Sequence, residues 1–265
     1  MRSLAGSRTK LKRAYEQIDA LRTDLNAAMK PNGNAFKVDL KNDTYDGFPA
    51  ITLYVVGMPT FDPSISVTIG EITHNLRSAM DQVAWALVPR VKLKSLNDDQ
   101  VLAIQYPMAE SPTNWRNTVN RRLPGTTPDQ RAFIKRYQPY RRSVAGRAIR
   151  ALQILFNTDK HRAIIPALIF PTDYNFHLEY VGHRREFIRR TGRGKQVKLG
   201  ADLCTWTFET VPQNVRMDAT INLSPGFRPS LIRPSRGNDF VRIGGLLESI
   251  AAICDEVLSH FETEG

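Results

Sequence analysis

The spacing of apolar residues changes along this chain, from helical over most of residues 1–162 to strand-like from Ala163 to about Leu223. Strands and helices therefore occur in blocks rather than in strict alternation. This organisation predicts an α+β fold in which a helical layer packs on a mostly antiparallel β-sheet. We expect a single domain over residues 1–265, with a helix-rich part (1–162), a strand-rich part (163–236) and a C-terminal helix (237–265).

Four long helices are predicted from apolar residues that recur every three or four positions. They cover about residues 7–30, 66–88, 143–160 and 239–262. Between residues 95 and 140 several prolines interrupt the pattern, so short helices are expected there. One of them should begin after Thr127, because Thr127 and Gln130 have the spacing of a capping box and Pro128 suits the first helical position.

The strand-like segments begin with a hairpin. Its strands are predicted at Phe36–Leu40 and Ala50–Val56, joined by a longer loop over residues 42–47. This hairpin can pair with the later strands and so connect both ends of the chain. Pro166 lacks a backbone N–H, so its strand is expected at a sheet edge. Residues 224–236 are predicted to form a loop that can contain one short extended piece. The later strands are predicted at Ile164–Phe170, Asn175–Val181, Glu186–Arg190, Val197–Phe208 and Val215–Leu223.

The charge of the chain favours acidic partners. Its 37 Lys and Arg residues outnumber 26 Asp and Glu residues, which gives a formal net charge of +11. Such a balance favours association with RNA or DNA. The alternative is that the basic residues only keep a solvated surface soluble. No feature of the sequence indicates an oligomeric state.

The cysteines and the hydropathy pattern indicate a cytoplasmic protein. The two cysteines, Cys204 and Cys254, form no Cys-x-x-Cys pair, and Cys254 lies on the apolar stripe of a predicted helix. A buried thiol in a reducing compartment is the expected state. The chain has no apolar run of about 18 residues, so no membrane partner is expected.

The predicted helix over residues 66–88 has two different faces. One face carries only apolar side chains, whereas Gly70, His74, Arg77, Asp81 and Trp85 lie on the other. A solvated face more often carries Lys and Glu pairs. The mixture found here indicates that this second face is buried against another element or lines a pocket.

A second polar cluster ends the helix predicted over residues 143–160. Asp159 lies at the carboxyl end of this helix, where the helix dipole disfavours an anion. Cations must therefore stabilise it, either locally from Lys160, His161 and Arg162 or across the fold from His74 and Arg77. In the second case one interhelical site forms, and its predicted members are His74, Arg77, Asp81, Asp159 and His161.

The same residues allow two other interpretations. They can form a structural ion pair with a hydrogen-bonded histidine, which needs no ligand. A mononuclear site for a divalent metal, with His74, Asp81, Asp159 and His161 as ligands, is also geometrically conceivable. Otherwise no cofactor is expected, because the chain has no glycine-rich phosphate loop of the Walker type.

Three sequence motifs carry a resemblance. Residues 70–81, with His-Asn-Leu-Arg-Ser-Ala-x-Asp, residues 157–162, with Asn-x-Asp-Lys-His-Arg, and Tyr137-Gln138-Pro139-Tyr140 resemble an uncharacterised protein family of actinobacteria and their phages. The resemblance covers about residues 66–170. The family has no assigned reaction, so the resemblance implies that the two polar clusters are linked but indicates no substrate.

A predicted hairpin concentrates basic residues around the turn at residues 191–194. Its cations could lie along a phosphate backbone and bind it without regard to sequence. The alternative is that they only protect an edge strand from aggregation. The predicted nucleic-acid-binding residues are Arg184, Arg185, Arg189, Arg190, Arg193, Lys195 and Lys198.

These features predict a nucleic-acid-binding protein whose interhelical site cleaves phosphodiester bonds. Arg77 would bind the phosphate, His74 or His161 would act as general base, and the carboxylates would orient them. The rival hypothesis is a non-catalytic accessory or interaction protein in which these residues form a structural polar network.

Overall fold

The predicted α+β class is confirmed by a computed structural model, which describes residues 2–28, 36–58, 61–161, 168–189, 197–227 and 241–263. The chain divides into two compact units, each assembled from distant segments. The helical unit comprises residues 1–22, 63–166 and 244–265, and the β unit comprises residues 23–62 and 167–243. The single domain predicted over residues 1–265 stays a prediction.

The helices follow the predicted order. All four long helices are present, and short helices occupy the proline-rich segment as expected. The helices are α1 (Ala5–Ala28), α2 (Pro63–Leu87), α3 (Arg90–Leu93), α4 (Asp98–Leu102), α5 (Trp115–Arg122), α6 (Pro128–Arg136), α7 (Val144–His161) and α8 (Ile243–Thr263).

Local sequence explains where these helices begin. Thr127 accepts a hydrogen bond from the backbone N–H of Gln130, and the Gln130 side chain accepts one from the Thr127 N–H. The predicted capping box at the start of α6 is thus confirmed. Asn97 and Gln100 form a second capping box before α4. Each box satisfies N–H groups that a helix end leaves without partners.

The helical unit has its core where α1, α2, α7 and α8 present apolar faces. Ile69, Ile72 and Leu76 of α2 are completely buried, as are Ile250 and Val257 of α8. Cys254 is buried on the same face of α8, as predicted, and burial raises the pKa of its thiol to about 12. Its thiol is therefore a core group.

Ion pairs connect the two ends of the chain within this unit. The Arg8 side chain of α1 donates to Glu262 Oε1 at 2.9 Å and to Ser259 Oγ at 2.8 Å, and it also pairs with Asp255. Arg22 pairs with Glu248. These contacts fix the position of α1 beside α8.

The described residues of the β unit form two antiparallel sheets. One has four strands in the order β1-β2-β5-β4, and the other has three in the order β3-β6-β7. The predicted pairing of the first hairpin with a later strand is confirmed, since β2 pairs with β5. The strands are β1 (Lys37–Tyr45), β2 (Phe48–Gly57), β3 (Leu168–Val181), β4 (Arg184–Arg189), β5 (Asp202–Phe208), β6 (Gln213–Phe227) and β7 (Val241–Arg242).

The first hairpin has a tighter turn than predicted. The loop expected over residues 42–47 is wrong, because β1 continues to Tyr45, which pairs directly with Phe48. Asp46 and Gly47 form the turn with φ angles of 51° and 76°. Two successive residues with positive φ match the twist of the strands, and Asp-Gly is a preferred pair for such a turn.

The later strands also differ from their predicted bounds. The described end of the strand predicted at Ile164–Phe170, from Leu168 onward, continues into the strand predicted at Asn175–Val181. Together they form β3, whose pairing with β6 shifts register between Pro171 and Asp173. Pro166 and residues 228–240 lie outside the described residues. The loop predicted from Ser224 is wrong at its start, because β6 continues to Phe227.

The two sheets share an apolar core. Leu53 of β2 and Phe208 of β5 are completely buried between them. The Tyr180 ring of β3 packs edge-on against Phe208, with 5.0 Å between ring centroids, and Phe176 contacts Trp206 at 6.4 Å. The β unit is therefore a sandwich in which β4 lies at one edge of the larger sheet.

Candidate functional site

The polar face of α2 lies beside α7, so the two polar clusters do approach each other. A Cβ atom placed on Gly70 would be 2.8 Å from Cγ of Asp159, closer than such atoms come in real structures. The carboxylate of Asp159 thus occupies space that only a glycine leaves open. One helical turn further along α2, the His74 ring lies over Phe156 of α7, with 6.1 Å between centroids and 29° between ring planes.

Asp159 and His74 border an open cleft that we call the His74 cleft. Helices α1, α2 and α7 form its walls, and its volume is about 600 Å³. His74 and Asp159 are both exposed. The lining residues are Lys10, Arg13, Gln17, Ser66, Val67, Gly70, Glu71, His74, Asn75 and Asp159.

Hydrogen bonds between α1 and α2 build one wall of this cleft. Gln17 donates from Nε2 to Glu71 Oε2 at 2.8 Å and accepts from Asn75 Nδ2 at 2.8 Å. Lys10 donates from Nζ to Asn75 Oδ1 at 3.3 Å. Gln17 and Asn75 are buried, so their amides fix the backbone that carries Glu71 and His74. The cleft therefore combines an imidazole, two carboxylates and two cations on a fixed scaffold.

Arg77 and Asp81 bind a different part of the helical unit. Arg77 donates from Nε to Asp81 Oδ2 at 3.1 Å and from Nη2 to the Tyr106 carbonyl at 3.3 Å, and its Nη1 contacts the sulfur of Met108. Asp81 Oδ1 accepts from the Tyr106 N–H at 2.8 Å. The pair thus holds the segment around Tyr106 against α2.

Burial and the charge of Arg77 change the pKa of Asp81 in opposite directions. The side chains of Arg77 and Asp81 are 11% and 29% exposed. Burial raises the pKa of Asp81, and the charge of Arg77 together with the Tyr106 N–H partly opposes that rise. Both oxygens of Asp81 accept hydrogen bonds, which limits the cost of burying the carboxylate but does not cancel it.

Arg77 and Asp81 line a second cavity, which we call the arginine cavity. Its volume is about 350 Å³, and α5 and the end of α7 complete its wall. Phe156 contacts His74 and also lines this cavity. The lining residues are Arg77, Asp81, Gln105, Tyr106, Met108, Thr118, Arg121, Arg122, Gln153, Phe156 and Asn157.

The predicted interhelical site is therefore divided among the described residues. His74 and Asp159 lie in the His74 cleft, whereas Arg77 and Asp81 lie in the arginine cavity. His161 is the last residue of α7, and its side chain lies outside the described residues. The reason is geometric: Gly70 and Asp81 share a face of α2 but are separated by about 16 Å along its axis. Residues on the same face of a long helix can therefore lie too far apart along its axis to form one site.

The metal site conceived from the sequence does not assemble within the described residues. Asp81 is bound to Arg77 and the Tyr106 N–H, away from His74 and Asp159. No group of three His, Cys, Asp or Glu side chains in the described part of the chain has the arrangement of a metal site.

Several cavity residues had no predicted role. Lys10, Arg13 and Gln17 share one face of α1 at spacings of three and four residues, which is a signal available in the sequence. Arg121 and Arg122 are consecutive at the end of a short helix. Nothing in their pattern indicates that both would reach the same cavity as Arg77.

The basic hairpin is described only in part. Arg184, Arg185 and Lys198 are exposed, and the Arg185 guanidinium lies 3.7 Å from the centroid of the Phe48 ring. Arg189 lies on β4, opposite Cys204 of β5, but its side chain lies outside the described residues. Arg190, Arg193 and Lys195 also lie outside them.

Comparison with known proteins gave no match. No family model matches the chain, and neither a curated protein nor a solved structure matches it.

In the part of the chain that the structure describes, each helix is either too short or too polar to cross a bilayer.

Proposed function

We propose that this protein binds nucleic acid and cleaves a phosphodiester bond in the His74 cleft. One observation carries the proposal: the Asp159 carboxylate lies over Gly70, one helical turn from an exposed histidine, in an open cleft bordered by Lys10 and Arg13. Phosphodiester cleavage needs a proton acceptor near the attacking oxygen and positive charge near the phosphate. The cleft provides both kinds of group.

Each residue of the cleft has a defined role in this proposal. His74 accepts the proton of the attacking hydroxyl group or water while that oxygen bonds to phosphorus, and the ring of Phe156 limits the orientations of the imidazole. The P–O bond to the leaving oxygen breaks, and the protonated imidazole or a water molecule gives that oxygen a proton. The carboxylates of Asp159 and Glu71 line the same cleft and place negative charge on the side of His74. Lys10 and Arg13 stabilise the charge that develops on the phosphate oxygens.

The proposal assigns phosphate binding to Lys10 and Arg13 of α1 instead of to Arg77, which the sequence predicted for this role. Arg77 is bound to Asp81, the Tyr106 carbonyl and Met108, and its side chain is only 11% exposed. Among the described residues Lys10 makes one long hydrogen bond, at 3.3 Å, and Arg13 pairs with Glu16 at 3.4 Å on the surface. Contacts of this kind exchange readily with a ligand phosphate.

The catalytic proposal is tested by replacing His74 with alanine. We expect cleavage of a labelled RNA or DNA oligonucleotide to fall by about 10²-fold or more, the usual contribution of a general base. The melting temperature should change little, because the His74 side chain is exposed. The control is His177→Ala, which removes another exposed histidine and should leave cleavage intact.

Two results would contradict this proposal. One is a wild-type protein that cleaves neither RNA nor DNA. The other is a His74→Ala protein that cleaves at the wild-type rate.

Binding is tested separately by titrating a labelled oligonucleotide at several salt concentrations. The affinity should fall as salt rises, and each lost phosphate contact should reduce the logarithmic slope by about 0.9 for duplex DNA. Arg184→Gln should show this reduction, whereas Lys135→Gln, which removes an exposed cation of α6, serves as the control. Absent or salt-insensitive binding would remove the nucleic-acid part of the proposal.

A second candidate function is a non-catalytic accessory or interaction protein. The contacts of Arg77 and Asp81 with Tyr106 favour it, because these residues act there as a structural brace. If His74 belongs to the same structural network, His74→Ala should mainly lower the free energy of unfolding. Measuring stability and cleavage on the same protein preparations separates the two candidates.

A further inference from the structure

The arginine cavity contains more hydrogen-bond donors than the described residues satisfy. Three guanidinium groups line it, from Arg77, Arg121 and Arg122, whereas Asp81 supplies the one carboxylate among the described lining residues. The charge of Asp81 is balanced by its ion pair with Arg77, and Oδ1 also accepts from the Tyr106 N–H. The positive charge of the other two arginines is therefore left without an anion in the described structure.

The two remaining arginines have donors available to a ligand. Arg122 donates from Nη1 to the Ala103 carbonyl at 3.1 Å and to Gln105 Oε1 at 2.8 Å, which fixes its guanidinium. Its Nε and Nη2 groups have no hydrogen-bond partner among the described residues. Arg121 is exposed and has no described partner for any of its donors. One guanidinium held by hydrogen bonds and one exposed guanidinium thus border the same space.

The charges in this cavity also affect each other. Burial, together with the neighbouring charges of Arg121 and Arg77, lowers the pKa of Arg122. Like charges that approach in a partly buried space disfavour one another. A bound anion would relieve this repulsion.

We propose that the arginine cavity binds a phosphate group, either the free phosphate ion or the terminal group of a phosphate monoester. Such a group carries up to two negative charges and three terminal oxygens, which suits several guanidinium donors that converge from different elements. Thr118 of α5 and Asn157 of α7 add neutral polar groups to the wall. The volume of about 350 Å³ leaves room for part of the molecule that carries the phosphate.

This binding site is separate from the His74 cleft and goes beyond the proposed function. The phosphate has two possible sources, free inorganic phosphate or the 5′-terminal phosphate of a nucleic acid. The chemistry of recognition is the same for both.

Calorimetric titration with inorganic phosphate tests the site, at an ionic strength held constant with sodium chloride. The wild-type protein should bind phosphate, and Arg121→Gln should bind it about tenfold more weakly, since it loses charge-assisted hydrogen bonds. Arg116→Gln is the matched control, because Arg116 is an exposed arginine on the same helix that does not line the cavity. Its affinity for phosphate should equal that of the wild type.

A second titration identifies the source of the phosphate. It compares 5′-phosphorylated and 5′-hydroxyl oligonucleotides of one sequence, with every protein carrying His74→Ala so that no oligonucleotide is consumed. A preference of about tenfold for the 5′-phosphorylated strand that Arg121→Gln abolishes supports a nucleic-acid end. Equal affinities for the two strands, with inorganic phosphate still bound, support free phosphate.

The proposal is overturned if the protein neither binds inorganic phosphate nor prefers the 5′-phosphorylated strand. It is also overturned if Arg116→Gln weakens phosphate binding as much as Arg121→Gln. Neither titration measures cleavage, so a failure of this site is distinct from a failure of the catalytic proposal.

Discussion

The His74 cleft and the arginine cavity lie on successive turns of one helix face, yet their polar groups have different partners. In the cleft, Lys10, Gln17, Glu71 and Asn75 bind one another through side chains, and His74 is exposed. In the cavity, Arg77 and Asp81 bind the backbone around Tyr106. Groups bound to backbone hold the fold together, whereas exposed groups remain available to a ligand. The same helix therefore carries a structural pair beside a candidate reactive site.

The largest expected effect is on the structural side of this comparison. Arg77→Ala leaves the partly buried carboxylate of Asp81 without its cation and releases the Tyr106 carbonyl. We expect the free energy of unfolding to fall by about 2–3 kcal/mol. Urea unfolding followed by circular dichroism measures this loss.

Arg77→Lys is the matched variant for this measurement. It keeps the charge but lacks the planar fork that reaches Asp81 and Tyr106 together, so it should lose less stability than Arg77→Ala. If His74→Ala lowers the free energy of unfolding as much as Arg77→Ala does, His74 is a structural residue like Arg77, and the contrast between the cleft and the cavity is wrong.

Gly70→Ala tests whether the position of Asp159 in the His74 cleft matters for cleavage. The new methyl group would lie 2.8 Å from Cγ of Asp159, so this carboxylate must leave its position over α2. Cleavage should fall about tenfold, provided that Asp159 assists His74. The free energy of unfolding should change by less than about 1 kcal/mol, because alanine favours a helix interior by about that amount and offsets the displacement.

Gly245→Ala provides the control for this variant. Gly245 lies in α8 with no atom near the position of the new methyl group, so its replacement changes helix propensity alone. Unaltered cleavage by the Gly70→Ala protein would show that the position of Asp159 is irrelevant to the reaction.

The two faces of α2 show what a sequence of this kind predicts well. A period of 3.6 residues determines which side of a helix a residue lies on, so burial of Ile69, Ile72 and Leu76 follows from spacing alone. The same argument places His74 and Arg77 on the opposite face. The α+β class and the capping box at Thr127 also follow from local patterns.

Spacing on one helix does not reveal the partners that other segments supply. The Tyr106 backbone binds Asp81 from a segment without regular apolar spacing, so no pattern predicts that contact. Arg122 reaches the same cavity because Ala103 and Gln105 fix its guanidinium. The division of the predicted five-residue site follows from these contacts, which depend on tertiary structure.

Phe156→Leu has a smaller expected effect, since this ring contacts His74 and also lines the arginine cavity. Replacement by leucine removes the ring contact, which is worth about 1 kcal/mol for such pairs, and lets the imidazole reorient. Cleavage should fall about threefold, whereas phosphate binding in the arginine cavity should stay unchanged. An equal loss of both would mean that the two cavities act as one site.

The smallest expected effect is the pH dependence that Asp81 contributes. Burial raises the pKa of Asp81 in the folded protein above its ordinary value of 3.8. At a pH between 3.8 and the raised pKa of the folded protein, Asp81 is protonated in the folded state and ionised in the unfolded state. The free energy of unfolding therefore decreases as pH rises through this range. Asp81→Asn lacks this titration.

Urea unfolding of the wild-type and Asp81→Asn proteins from pH 3 to pH 7 measures this contribution. Subtracting the two curves removes the titration of all groups that the variants share. The stability of the wild type relative to Asp81→Asn should decrease as pH rises above about 4 and then level off once the folded carboxyl is ionised. A relative stability that increases with pH would mean that Arg77 outweighs burial. Asp81 would then be a surface-like ion-pair partner, and the contrast between the buried brace and the open cleft would be lost.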